Sequence, residues 1–449
     1  MPLEYFGTDG IRGTFGEPPL DIPTLRRLGF ALAGWLSTRQ PGKKLRLVAG
    51  RDPRLSGPAI LAAVAEGLVA QGHEVLDVGI VPTPAVPGAI LAWQADFGLM
   101  ITASHNPPGD NGVKLFDNRG LKLEPSLEAD IENFLNQVPV SVAPLAALTL
   151  PQADALDLFC AARTALLPAN ALSGWVIALD PGHGATCQTS PEVFRRLGAR
   201  VFVRAGDLDG ARINTAAGSE HPEHLAALVR EHGARLGFAH DGDGDRLVAC
   251  DESGALVDGD QVLGILALHA LRQGRLSGGH VVATVQSNLG LDQAVAAAGG
   301  RVSRVSVGDR NVLHKLLELG ASLGGENSGH FIFPAIACCG DGLLAALQLC
   351  RVVLETGQPL SQLAQAIPLL PQLSAGLRVR EKIPFASLPR FSVALAAVEE
   401  SLSGRGRVLA RYSGTEKKLR LLVEGPDRAE LASLLAALQS AAVHDLGPS

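Results

Sequence analysis

"KLRLVAGRDPRLSGPAILAAVAEGLVAQGHEVLDVG", residues 44–79, carries one complete structural sentence. "KLRLVAG" (44–50) is an apolar strand, "PAILAAVAEGLVAQG" (58–72) a helical run closed by glycine, and "HEVLDVG" (73–79) a second strand. The order returns in "WVIALDPG" (175–182), "PEVFRRLG" (191–198) and "ARVFVRAG" (199–206). It returns again in "HVVATVQS" (280–287), "GLDQAVAAAGG" (290–300) and "RVSRVSVG" (301–308). Glycine suits the left-handed turn that closes a helix. Strands alternating with helices indicate βαβ units. Three such units predict three related α/β domains with mixed sheets; one large doubly wound sheet is the competing architecture.

The C-terminal part departs from this order. After the Pro-punctuated "IPLLPQL" (367–373) come strand-like "GLRVR" (376–380), a helix around 389–402, and strands "RVLARYS" (407–413) and "KLRLLVEG" (418–425). A helix over 427–442 closes the chain, so this segment predicts a small α+β domain. Joints near 144–157, 251–259 and 367–373 set the expected domains at 1–155, 156–253, 254–369 and 370–449.

The 449 residues are 47% hydrophobic and 19% charged, which is globular composition. A formal charge of −6 without any Lys/Arg run argues against nucleic acid or an anionic membrane as partner. An anionic ligand would need basic residues gathered locally. Six cysteines without a CxxC pair read as structural thiols in a reducing compartment. With no signal-peptide pattern and no apolar run of about 18 residues, the expectation is a cytoplasmic protein, monomer or homodimer.

"AHDGDGDR" (239–246) alternates Asp241, Asp243 and Asp245 with glycine, so three carboxylates share one side of a short segment. Oxygen ligands without His or Cys suit Mg²⁺. A calcium EF-hand is the rival, but Arg246 stands where that loop needs glycine, and the flanks read as strands. "RYSGTEKKLR" (411–420) brackets Ser413, Gly414 and Thr415 with Arg411 and Arg420, the parts of an anion cradle. "GGENSGH" (324–330) offers Glu326, Ser328 and His330 to sugar hydroxyls, and "VGDRNV" (307–312) brings Arg310 to a strand's carboxyl end. "FGTDGIRG" (6–13) adds Thr8 and Arg12.

"ITASHNPPGDNGVKLF" (101–116) ends an apolar strand on Ser104 and His105, then places Lys114 beyond a proline- and glycine-built turn. A serine hydrolase is disfavoured, because no G-x-S-x-G elbow is present and His105 would point away from Ser104 in an extended segment. A serine carrying a phosphoryl group beside Mg²⁺ accounts for the carboxylate trio, the anion cradle and the scattered arginines together.

With those motifs in hand, the chain resembles the α-D-phosphohexomutase superfamily, and within it the branch acting on glucosamine phosphates. "TASHNP", "DGDGDR", "GENSGH" and "RYSGTE" look like its phosphoserine, metal, sugar and phosphate loops, in family order; "GRDPRLSG" (50–57), "VPTPAV" (81–86) and "VGDR" also fit. The resemblance spans essentially the whole chain. It implies four domains around a central cleft, each giving one loop. It further implies that Ser104 is phosphorylated, its phosphate completing a Mg²⁺ shell with Asp241, Asp243 and Asp245. Lys114, Arg12 and His330 would then serve proton transfer and charge stabilisation. Thr8, His105, Arg246, Gly308, Asp309, Arg310, Glu326 and Ser328 would bind substrate, and Arg411, Ser413, Gly414, Thr415 and Arg420 its unreactive phosphate.

The expected reaction interconverts glucosamine 6-phosphate and glucosamine 1-phosphate, with glucosamine 1,6-bisphosphate (or glucose 1,6-bisphosphate) as activator. It would feed UDP-N-acetylglucosamine and cell-wall precursor synthesis. The alternative is a phosphomannomutase/phosphoglucomutase. For Lys114 to act as acid and base, its pKa should fall, which neighbouring cations such as Arg12 favour. Pro108, "DPGHGAT" (180–186) and Lys417 depart from the family pattern without removing a group the chemistry needs; Lys417 bears on how the phosphate loop is held.

Overall fold

The computed structural model describes residues 3–7, 9–139, 148–413 and 417–447. Its first sheet holds β1 (Ile11–Thr14), β2 (Arg46–Arg51), β3 (Glu74–Ile80), β4 (Phe97–Ile101) and β5 (Asp110–Asp117) in the order β1-β5-β4-β2-β3. β2 runs parallel to β3 and β4, and β5 returns antiparallel to β4. The second holds β6 (Val176–Asp180), β7 (Arg200–Val203), β8 (Leu236–Ala239), β9 (Val248–Cys250) and β10 (Leu256–Val257), in the order β10-β9-β8-β6-β7. In the third, β11 (His280–Thr284), β12 (Arg301–Val305), β13 (Gly324–Gly325) and β14 (Phe331–Ile332) follow the order β12-β11-β13-β14.

One kernel recurs in all three sheets. A central strand (β2, β6 or β11) lies between two parallel neighbours, and the third parallel strand folds back through a hairpin. Short hairpins join only antiparallel strands, whereas a parallel return needs a crossover of a dozen or more residues. The sheets are therefore mixed, and three loops occupy equivalent places. Residues 102–109 join β4 to β5, residues 240–247 join β8 to β9, and residues 326–330 join β13 to β14.

The helices preceding β3, β7 and β12 stop where the sequence expects. Gly72, Gly198 and Gly299 take φ of 84°, 91° and 83°, a region closed to most side chains. Alternation along the first sheet divides its residues between two cores. Leu47, Ala49, Leu99 and Ile101 face the helices Ile22–Arg39 and Gly57–Ala70, while Val48 and Met100 face the opposite side. Gly29 lets those two helices touch, since a Cβ there would lie 2.1 Å from the Val64 carbonyl oxygen. The core containing Val48 continues through Phe194, Phe238, Leu263 and Leu347, so the three α/β units share one apolar interior.

The C-terminal unit is built differently. β15 (Gln372–Arg378), β16 (Arg407–Tyr412) and β17 (Lys418–Glu424) form an antiparallel sheet ordered β15-β17-β16, packed by helices Pro389–Leu402 and Arg428–Leu446. Its core, around Phe391, Leu421, Val423 and Leu431, is separate. The last helix is capped by Asp427, whose carboxylate accepts from the N–H groups of Ala429 and Glu430. All six cysteines are free thiols, and no helix among the described residues is long and apolar enough to cross a membrane.

Candidate active site

The three hairpin loops meet. Ser104 turns away from the end of β4 with φ of 54° and is 1% exposed. Its Oγ donates to Asp241 Oδ2 at 2.6 Å, and its N–H donates to Thr102 Oγ1 at 2.8 Å. Because Ser104 is left-handed and not extended, His105 does not point away as the sequence suggests. Its Nδ1 lies 3.5 Å from Ser104 Oγ. Arg54, paired with Asp52, holds the loop from beneath. It donates to the carbonyls of Ser104 (2.9 Å), Asn106 (2.8 Å), Asp110 (2.9 Å) and Pro107. Asn214 Nδ2 donates to two of the same carbonyls, at 2.9 and 3.1 Å.

Asp241, Asp243 and Asp245 are buried, with one oxygen of each within 4.8 Å of the others. Glycine is required between them. A Cβ on Gly242 would lie 2.7 Å from the Ser104 carbonyl, and Gly244 has φ of 73°. Burial, reinforced by Asp245 and Asp243, pushes Asp241 up to about 8. Asp243 Oδ1 is buried and accepts no hydrogen bond among the described residues. Three clustered carboxylates with an unused oxygen, facing a serine hydroxyl, fit a hard divalent cation.

Lys114 reaches the trio from β5, with Nζ 2.8 Å from Asp243 Oδ2, 3.1 Å from Asp245 Oδ2 and 3.2 Å from Asp9. Its pKa is raised well above the usual lysine value, the reverse of the expectation. Burial lowers it, but Asp243, Asp245 and Asp9 outweigh burial, and the opposing effect of Arg12 is smaller. His330 Nε2 lies 2.8 Å from Asp245 Oδ1; burial lowers its pKa, yet Asp245 carries it up to about 9. His105 goes the other way, to about 4, through burial and then the cations Arg246 and Arg12.

The remaining expected residues divide into groups. Glu326 Oε1 accepts from the Gly308 N–H at 2.9 Å, and its other oxygen is 3.6 Å from His330 Nδ1. Asp309 is paired with Lys122 at 2.6 Å, and Arg310 makes two bonds to Glu128 at 2.6 and 3.0 Å. Arg246 stands 3.9 Å from Asp241 and 3.6 Å from Glu220. Ser328 is exposed on its loop. Asp9, Arg12, His105, Glu128, Gly308 and Arg310 line one cleft of about 900 Å³. Arg411 and Arg420 are cross-strand neighbours on β16 and β17, lining a separate cavity of about 230 Å³ with Gln286 and Lys418. Arg411 is lowered from the usual arginine value by burial and by Arg420. Ser413 donates its N–H to the Lys418 carbonyl at 2.8 Å; Thr8, Gly414 and Thr415 lie outside the described residues.

Sequence reasoning assigned no role to several buried groups at this site. Thr83, inside "VPTPAV", donates its hydroxyl to Asp243 Oδ2 at 2.5 Å. Asp9 sits inside "FGTDGIRG" and Arg54 inside "GRDPRLSG", so both lay within stretches already singled out. Asn214 and Lys122 carry no local signal. Only the tertiary fold brings them in.

A buried serine bound to a carboxylate trio, beside a cleft lined by arginines and carboxylates, on three repeated α/β units and a C-terminal α+β unit, is the arrangement expected of a phosphohexomutase. The chain belongs to the phosphoglucomutase/phosphomannomutase family. Its four parts match the family descriptions alpha/beta/alpha domain I over residues 3–139, domain II over 159–254, domain III over 258–369 and the C-terminal domain over 376–441. Within the family it falls among the phosphoglucosamine mutases, isomerases that shift a phosphoryl group between positions of one sugar. Phosphoglucosamine mutase of Moorella thermoacetica is 45% identical over 98% of this chain and 99% of its own length. That of Rhodococcus opacus is 43% identical over 96% and 97%. Among solved structures, a phosphoglucomutase/phosphomannomutase family protein from Burkholderia thailandensis superposes with a TM-score of 0.81, at 26% identity, over 99% of this chain and 98% of that one. The N-acetylphosphoglucosamine mutase of Aspergillus fumigatus, solved with GlcNAc-6P and magnesium, shares the fold with a TM-score of 0.68 at 17% identity, over 99% and 96%.

Proposed function

We propose that phosphorylated Ser104 gives its phosphoryl group to glucosamine 6-phosphate, forming the 1,6-bisphosphate, and takes the other phosphate back to release glucosamine 1-phosphate. The first transfer breaks the P–O bond at Ser104 Oγ, forms one at a sugar oxygen and leaves the sugar hydroxyl's proton on Ser104 Oγ; the second breaks the P–O bond at the other sugar oxygen, forms one at Ser104 Oγ and returns the proton to that sugar oxygen. The observation carrying this reading is the 2.6 Å contact between Ser104 Oγ and Asp241 inside the aspartate trio. Mg²⁺, held by Asp241, Asp243 and Asp245, would supply charge neutralisation at the transferring group.

Lys114 is held as an ammonium by its carboxylate neighbours, which raise its pKa well above the usual lysine value, and of these Asp9 lies outside the metal trio. Its Nζ gives a proton to the departing Ser104 Oγ and recovers one from the attacking sugar hydroxyl. Arg12 and His330 stabilise charge beside it. Glu326 and Ser328 grip sugar hydroxyls, with Thr8, His105, Arg246, Gly308, Asp309 and Arg310 around them. Arg411, Ser413, Gly414, Thr415 and Arg420 hold the phosphate that does not react. On this reading the chain divides into domains 1–155, 156–253, 254–369 and 370–449, each contributing one loop. The product feeds UDP-N-acetylglucosamine and cell-wall precursor synthesis in the cytoplasm.

Phosphorus NMR of glucosamine, glucose and mannose 6-phosphates, each with Mg²⁺, a trace of bisphosphate and the enzyme, tests the reading. The 1-phosphate signal is expected to grow fastest for glucosamine. Faster conversion of glucose or mannose phosphate would move the assignment to the phosphoglucomutase/phosphomannomutase activity. Steady release of inorganic phosphate would indicate a phosphatase.

A further inference from the structure

The Asp9 carboxylate is a junction of cations. It pairs with Arg12 and with Lys122, and one of its oxygens is 3.2 Å from Lys114 Nζ. Lys122, 8% exposed, is held on its other side by Asp309 at 2.6 Å. Asp309 opens the helix Asp309–Leu319 of the third unit, whereas Asp9, Arg12, Lys114 and Lys122 belong to the first. One continuous ionic chain thus runs from a helix start in the third unit, through Lys122 and Asp9, to Arg12 and Lys114. No substrate contact is needed to explain it.

Among the described residues Lys114 has three carboxylate partners, and two of them belong to the metal-type trio. A divalent cation and an ammonium repel and compete for the same oxygens. A metal held by the trio would draw Asp243 and Asp245 from Lys114 and leave it Asp9. We propose that Asp9, anchored across the domain boundary by Lys122 and Asp309, is the positioning residue that holds Lys114 and Arg12 in the metal-loaded enzyme. The proposal rests on the mutase reading above. Asp9 acts through Lys114 and Arg12, so its loss falls on the transferring step more than on binding.

The test compares wild type, Asp9→Asn, Asp9→Glu and Lys122→Gln. Wild-type turnover of glucosamine 6-phosphate comes first, because its absence would reject the mutase reading itself. Given that turnover, Asp9→Asn is expected to lower kcat about 100-fold, the scale of one misplaced proton-transfer group, with KM and calorimetric Mg²⁺ affinity within about threefold of wild type. Asp9→Glu, which keeps the charge, should recover about tenfold of that loss. Lys122→Gln should lower kcat by about tenfold at unchanged KM, and it decides the matter if Asp9→Asn does not fold. A crystal structure of wild type with Mg²⁺ is an independent readout, expected to show Lys114 Nζ against Asp9 and withdrawn from Asp243 and Asp245. Wild-type kcat in Asp9→Asn or, failing that variant, in Lys122→Gln would overturn the proposal. So would a kcat loss matched by lost Mg²⁺ affinity, or a Lys114 still bonded to the trio with the metal present.

Discussion

Arg54 is 1% exposed, and its guanidinium serves four backbone carbonyls of the Ser104 loop as well as Asp52. A planar fork of donors suits that task, and lysine would satisfy fewer of the carbonyls. Arg54→Met leaves Asp52 buried without its partner and the loop carbonyls short of donors. Urea unfolding should show a loss of about 3–5 kcal/mol, the usual cost of breaking a buried pair. The kcat of the folded fraction should fall about 100-fold, because the nucleophilic oxygen loses its position. Ser104→Ala separates chemistry from folding: its unfolding curve should overlay wild type while turnover vanishes and no phosphate appears by intact mass. Sustained turnover would remove Ser104 from the mechanism. Ser104 and the aspartates were legible because their chemistry sits in consecutive letters. Arg54 was visible only as part of a motif, since its carbonyl partners lie 50 to 56 positions away.

The hairpin is the element that builds the site, and the glycines of its loops are not equivalent. A Cβ on Gly242 would meet the Ser104 carbonyl and Ile213, each at 2.7 Å, while a Cβ on Gly109 would meet nothing within 4 Å. Gly242→Ala should push the serine loop off the trio and weaken Mg²⁺ binding by about ten- to hundredfold, the range seen when a ligand's supporting contacts are disturbed. Gly109→Ala should leave Mg²⁺ affinity at wild type, and equal effects at the two positions would refute the packing argument. The helix Gly259–Arg272 offers a second check. Asp258 caps it, and Asp260, buried in its first turn, accepts from the Asn288 N–H at 2.7 Å. Burial lifts Asp260 from 3.8 to about 7, so the folded state binds its proton more tightly than the unfolded chain does. Its stabilising contribution is full below 3.8 and is lost as pH rises toward about 7. Asp260→Asn should therefore gain on wild type in urea midpoint across that window and hold a constant lead above it. The βαβ repeats announced themselves through apolar strands and glycine stops, but the third hairpin did not. β13 and β14 are two residues each, too short for any alternation to register, and β13 is glycine alone.

At the scale of the whole molecule, the three α/β units share a core and the C-terminal unit keeps its own. The cleft beside His105 and the cavity over Arg411 and Arg420 have no lining residue in common among the described residues. On the proposed mechanism a substrate held at both ends would bring them together, a movement that suits the unit with the independent core. A specific clasp joins it to the third unit. Arg407 at the start of β16 pairs with the fully buried Glu424 at 2.6 Å and donates to the carbonyls of Val285 (2.9 Å) and Ser287; Glu424 also accepts from the Leu289 N–H at 2.7 Å. Asn288 completes it, donating to the Leu370 carbonyl at 2.9 Å and accepting from the Leu370 N–H at 3.0 Å. The clasp grips one end of the C-terminal sheet, while Arg411 and Arg420 lie further along the same strands. Movement about that end would leave both cores packed, since they are separate. Arg407→Met leaves Glu424 buried without its guanidinium partner, so the boundary should loosen while both cores persist. Amide exchange should quicken at 285–289 and 368–372 and stay at wild-type rates around Leu47, Phe238 and Leu421. KM should rise if, as proposed, the Arg411 and Arg420 surface holds the substrate's phosphate, because it is no longer kept in register with the cleft, whereas phosphorylation of Ser104 by added bisphosphate should still be detected by mass. Unchanged exchange at the boundary together with an unchanged KM would mean that Arg407 is not the pivot.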